Sequence, residues 1–175
     1  LEEPYHVELN DTWIWDGSNW QQQYPINSPS LRTGHQMIYD RARQVVLLFG
    51  GTVQGAIYDD TWIWDGKNWI EQHPTQHPSA RTEYAMGYDE ERNLIVLFGG
   101  YSVNGLENDT WIWDGQDWMQ LKTIDSPPVE IGLSPKMIYL PNKKMHILYS
   151  IFRKKTLDEK GVMNNIIRSE VWGLR

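Results

Sequence analysis

The chain has 175 residues, no cysteine and a formal net charge of −7. Without cysteine there are no disulfide staples, thiolate metal sites or cysteine nucleophiles, and the acidic balance argues against a general nucleic-acid binder, whose footprint is a basic patch. The longest apolar run, Val45 to Phe49, falls far short of the roughly 18 residues of a membrane-spanning helix, so no membrane partner is expected.

Leu1 to Leu9 shows no clear period and no basic-then-apolar leader. Compared with Gly105 to Asp109 it reads as the loop before a strand, so the chain is expected to enter midway through a repeat. Asp11-Thr12-Trp13-Ile14-Trp15-Asp16-Gly17 follows and closes with Trp20. Large aromatics alternate with β-branched Thr12 and Ile14, the composition of a strand buried on both faces. Asp16 to Asn19 signals a tight turn, and Trp20 to Tyr24 the returning strand of a hairpin.

This stretch returns at Asp60 to Gly66 with Trp69 and at Asp109 to Gly115 with Trp118, 49 residues apart each time, and the three copies hold nine of the ten tryptophans. A fixed period of this length marks a tandem array of one supersecondary unit. Pro25 and Pro29 frame a connection, Gly34 to Asp40 is the next predicted strand, and Arg41-Ala42-Arg43 turns the chain. Gln44 to Phe49 reads as a central strand ending at Gly50-Gly51, where a double glycine implies close backbone approach or positive φ. A loop is expected before Thr61 to Trp64, which Asn68 to Gln72 pairs, so one unit is four strands. Met86 to Asp89, Leu94 to Gly100 and Asp109 to Trp118 repeat them.

The third unit is degenerate. Met137-Ile138-Tyr139 and Met145 to Tyr149 read as strands, and Ser150-Ile151 replaces the double glycine. Arg153 to Arg168 reads as a charged connection, and Glu170 to Leu174 aligns with the Asp-Thr-Trp strand twelve residues late. The result is one array over 1–175, made of a half unit at 1–24, units at 32–73 and 81–122, and a degenerate unit at 132–175, with about thirteen strands. From Lys136 to Arg175 nine Lys/Arg face three Asp/Glu, a balance of +6, whereas the preceding 135 residues carry −13. Such asymmetry suits either a solvated basic loop beside an acidic body or an electrostatic contact with a partner, a second copy included.

An apolar strand ending Phe-Gly-Gly, then Asp-Thr-Trp and a downstream Trp, in a four-stranded unit of about fifty residues, resembles the kelch motif of β-propellers. The Val-Val-Leu-Leu-Phe-Gly-Gly and Asp-Thr-Trp-Ile-Trp-Asp-Gly forms look most like kelch-type repeats common in bacterial proteins. The resemblance implies an all-β fold of four-stranded antiparallel blades, about three and a fraction per chain. Propellers usually close with four to eight blades, so the ring is incomplete unless blades outside this chain or a homodimer finish it.

By the same resemblance the innermost strands are Gly34 to Tyr39 and Glu83 to Tyr88, which puts Arg32, His35, Arg81, Glu83 and Tyr84 nearest the channel mouth. Arginine offers a planar fork to carboxylates or sugar hydroxyls, and histidine or glutamate can move a proton. Arg32 and Arg81 are repeat-equivalent, which favours a structural pairing beside ligand contact, and Gly132 takes their position in the third unit. Asp11, Asp60 and Asp109 are expected to accept backbone hydrogen bonds at a strand start, and Asp16, Asp65 and Asp114 to stand in hairpin turns. The five histidines lack zinc-ligand spacing, so no metal site is expected. Copper oxidases of the galactose oxidase type share the scaffold but rely on a cysteine-linked tyrosine, so no cofactor is expected either. The leading functional expectation is a non-enzymatic binding or scaffold module that recognises a protein or glycan. A carbohydrate-active isomerase, lyase or hydrolase using Arg81, Glu83 and His35 is the enzymatic alternative. Self-assembly through Arg153, Lys154 and Lys155 is the structural one. Nothing in the sequence assigns a compartment.

Overall fold

A computed structural model describes residues 9–127, 135–157 and 163–174, with side chains as far as Tyr149. Its described residues form fourteen strands in four antiparallel sheets that stack in chain order. A half sheet pairs β1 (Thr12–Trp15) with β2 (Trp20–Gln23). The first complete unit is a meander of β3 (Gln36–Asp40), β4 (Val45–Val53), β5 (Ala56–Trp64) and β6 (Trp69–Gln72). In the second unit β8 (Ala85–Asp89), β9 (Leu94–Ser102), β10 (Gly105–Trp113) and β11 (Trp118–Leu121) repeat it, and the two-residue β7 (Arg81–Thr82) adds to β9. The last sheet joins β12 (Lys136–Leu140), β13 (Met145–Leu157) and β14 (Met163–Leu174). The sheets come closest through their first strands, β3 against β8 and β8 against β12. No sheet is closed.

Two expectations about strand length are corrected. The second strand does not end at the double glycine but runs on to Val53, and the loop expected before Asp60 shrinks to the turn Gln54-Gly55. Both turn residues have positive φ, 47° and 86°, as a tight hairpin whose twist matches its strands requires. Gly50 and Gly51 form a bulge inside the strand, with φ of 54° and 99°, and the β4–β5 register shifts there. A Cβ on Gly50 would lie 2.6 Å from the carbonyl oxygen of Arg81 in the next unit, so positive φ and close approach hold together. Residues 153–157 and 163–168 of the charged stretch are likewise strand: β13 and β14 pair over twelve positions, from His146 opposite Leu174 to Leu157 opposite Met163.

The core lies between sheets. Alternation along β4 sends Leu47 and Phe49 to one face, where they pack with Tyr84, Met86, Tyr88, Ile95, Leu97, Trp113 and Trp118. A second layer joins Val96 and Phe98 to Met137 and Leu148. Trp64 and Trp69 face each other across β5 and β6 with ring centroids 5.5 Å apart, and Trp113 and Trp118 repeat the pair at 5.4 Å. The indole N–H of the downstream tryptophan then crosses to the preceding unit: Trp118 donates to Thr61 Oγ1 (3.0 Å) and Trp69 to Thr12 Oγ1 (2.9 Å). The repeated Trp and Thr are thus donor and acceptor, respectively, of one link between neighbours. Thr110 Oγ1 is buried and has no partner among the described residues.

The prediction that Trp13-Ile14-Trp15 is buried on both faces is also corrected. Trp13 and Trp15 are 47% and 49% exposed and Trp20 64%, whereas Trp113 and Trp118 are 1% exposed. The motif is the same in both places; Trp113 and Trp118 pack on Leu47 and Phe49 of the preceding unit, and among the described residues no such neighbour stands against Trp15 and Trp20.

Candidate functional site

Arg32 and Arg81 stand just before the first strands of their units, each buried. Arg32 Nε donates to Ser30 O, Nη1 to Gly50 O (3.0 Å) and Asp60 Oδ1 (2.6 Å), and Nη2 to Ser30 Oγ and Asp60 Oδ2 (2.7 Å). Arg81 repeats every contact with Ser79, Gly99 and Asp109. All five N–H donors of each fork are therefore engaged inside one unit, tying the segment before the first strand to the bulge and the third strand. The guanidinium of Arg32 also lies 4.5 Å from the centre of the Tyr58 ring.

The carboxylates do not accept the backbone bonds expected of them. Asp60 and Asp109 take the arginine fork and, in addition, the indole N–H two residues on, from Trp62 and Trp111 at 2.7 Å each. Burial alone would raise the Asp109 carboxyl, but the hydrogen bonds from Arg81 and Trp111, with the charge of Arg81, hold it below its ordinary value. The second set of aspartates does occupy turns: Asp16, Asp65 and Asp114 each accept backbone N–H groups two and three residues on. The two backbone bonds, from Asn19 and Ser18, do most to bring Asp16 down to about 2.

Tyr84 is enclosed by protein. Its hydroxyl donates to Phe49 O and accepts from Gln36 N–H (3.0 Å), bridging β3 and β4 of the preceding unit from across the junction. Burial pushes its phenol well above the usual range. His35 is its repeat counterpart. Its Nδ1 is buried without a partner among the described residues, and burial, then the charge of Arg32, lowers its pKa from 6.5. Glu83 sits across the junction from Gly34: its N–H donates to Gly34 O (3.2 Å), where Thr82 Oγ1 also bonds (3.1 Å). Its φ is 55°, against 63° for Gly34, its own repeat counterpart. The left-handed kink that separates β7 from β8 is thus filled by glycine in one unit and by glutamate in the other.

The five residues predicted for the channel mouth accordingly meet at one junction between units. Arg153, Lys154 and Lys155 lie on β13, opposite Ile167, Ile166 and Asn165, and their side chains fall outside the described part. Among the described residues no group of three His, Cys, Asp or Glu is placed to hold a metal ion.

Sequence reasoning missed a groove of about 410 Å3 beside the first complete unit, floored by Met37, Val46, Leu48, Trp64 and Trp69. The available signal was the period itself, since the same five positions one repeat later are packed against the preceding unit.

The profile of the KLHDC2/KLHL20/DRC7 Kelch-repeats domain matches residues 3–172. The chain belongs to the kelch-repeat family. Kelch-repeat domains generally act in protein binding or scaffolding, and the stacked sheets are blades of a partial kelch propeller. No curated protein matches the chain.

Proposed function

We propose that this kelch array is a non-enzymatic binding or scaffold module that recognises a protein or glycan at the mouth of its channel, with His35 and Glu83 as contact residues. Arg32, Arg81 and Tyr84 serve the same site by holding the two blades that carry those side chains in fixed register. The observation that supports this reading is the backbone at Glu83. A residue with a Cβ held at positive φ costs roughly 1 kcal/mol or more, and such strain gathers at functional positions. Gly34 shows that the repeat accepts glycine there, so a retained carboxylate points to use.

The test is Glu83→Gly. Stability should rise by about 0.5–1 kcal/mol as the strain is relieved. Binding to a panel of glycans and kelch-partner peptides, followed by amide chemical shifts at the junction, should be lost with it and with His35→Ala. A variant that is stabilised and binds as before would overturn the reading. Turnover of glycosides, sialic acids or esters that disappears with either change would favour the enzymatic alternative instead.

A further inference from the structure

The groove beside the first complete blade is the mould of an interface that the chain builds in full one blade later. Met37, Val46, Leu48, Trp64 and Trp69 lie 49 residues before Met86, Ile95, Leu97, Trp113 and Trp118. Those five form the face on which Leu47 and Phe49 pack, with Ile38 and Ile63 beside them. Ile14, the counterpart of Ile63, already lines the groove. Among the described residues the groove lacks counterparts of Ile38, Leu47 and Phe49, which in a complete blade come from the first two strands.

Two polar groups identify the rest of the occupant. In both complete blades the motif carboxylate is gripped by an arginine 28 residues earlier and by the indole two residues on. Asp11 has the indole, from Trp13 at 2.5 Å, and no guanidinium among the described residues. It lines the groove, as does His35, whose Nδ1 has no partner among the described residues. The edge of β1 away from β2, which in the next blade pairs with β4, is also unpaired among the described strands. An open strand edge above an apolar floor is the geometry of recognition by strand addition.

We propose that this groove binds a kelch-type pair of antiparallel strands carried by a polypeptide segment outside this chain. The segment is built like residues 29–53: an arginine enters beside Asp11, the second strand pairs with β1, and three apolar side chains seat on Met37, Val46, Leu48, Trp64 and Trp69. A second copy of this chain fits less well. Its β12 and β13 would present Ile138, Ile147 and Tyr149, but Gly132 stands where the arginine belongs. In addition, β14 already holds the edge of β13 on which β1 would have to lie. The groove shares His35 with the channel-mouth reading, but the inference rests on Asp11, the open edge of β1 and the apolar floor, and stands or falls with those.

A synthetic peptide of residues 29–53 added to the intact chain is the probe, read by calorimetry and by tryptophan emission, since Trp64 and Trp69 lie in the floor. The expected result is saturable one-to-one binding with a change in emission. Asp11→Asn in the chain, or Arg32→Ala in the peptide, should weaken it by at least about tenfold through loss of the charged pair. Met37→Glu should abolish it. Asp11 and Met37 are both exposed, so these variants should unfold at the same denaturant concentration as the parent chain. Binding no better than that of a scrambled peptide, or indifferent to both chain variants, overturns the proposal. A solution mass near twice 20.6 kDa that Met37→Glu halves also overturns it, because the occupant would then be a second copy.

Discussion

Truncating Arg81 to alanine tests whether the repeated arginine belongs to the framework of the blade. Its side chain is 1% exposed and that of Asp109 17%, so removal strands a carboxylate largely out of water. It also leaves the carbonyl of Gly99 (2.9 Å) without this donor. Breaking a buried ion pair by deleting one partner costs about 3–5 kcal/mol, against roughly 5–15 kcal/mol for a whole domain. The folded-to-unfolded ratio should therefore fall by about two to four orders of magnitude. Arg81→Lys keeps the charge but cannot bond both carboxylate oxygens and the carbonyl from one plane, so its loss should lie between. Urea unfolding followed by tryptophan emission measures this as a lower midpoint at an unchanged slope. A double-mutant cycle with Asp109→Asn should give clear coupling, because both changes break one network. If Arg81→Ala stays within about 0.5 kcal/mol of the parent, or adds independently to Asp109→Asn, the framework reading is wrong.

Thr61→Val should cost about 1–3 kcal/mol by stranding the buried indole N–H of Trp118, while the same change at Thr110, whose hydroxyl has no partner among the described residues, should be neutral or stabilising; equal costs at both sites would refute the link between blades. Gly50→Ala must displace the Arg81 backbone and should destabilise far more than Gly55→Ala, where φ is positive but the space is open; denaturant midpoints compare the two. Acid should weaken the fold early: burial lowers the pKa of His35 and of His146 below 6.5, so as pH falls the unfolded chain takes up these protons first. That stability is present above about pH 6.5 and drains away as pH drops through the folded values, which histidine proton shifts and unfolding midpoints at pH 7.5 and 5 would follow. A flat profile over this range would contradict the lowering of both pKa values by burial.

The repeat made the fold readable. Asp-Thr-Trp, the aromatic pair across a tight turn, and Phe-Gly-Gly recur at one spacing, and each is a local pattern that strand pairing alone satisfies. The double glycine was read correctly as close approach and wrongly as a strand end, because one-dimensional punctuation does not separate a bulge from a stop. The site was legible only as a neighbourhood. Arg32, His35, Arg81, Glu83 and Tyr84 lie at one junction between units, but which of them are used up inside and between the blades depends on partners 28 to 49 residues distant.

By itself the sequence determined the unit, its period and the family, since hydrophobic alternation and turn chemistry act over a few residues and repeat without change. Tertiary structure alone decided the duties of identical side chains. Trp118 is buried and bonded to Thr61, while Trp20 is open to solvent. Asp109 is held by an arginine, while Asp11 has no guanidinium beside it among the described residues. A propeller blade buries its faces against its neighbours, so the fate of each residue depends on whether a neighbour stands beside it, and that is a property of position in the stack.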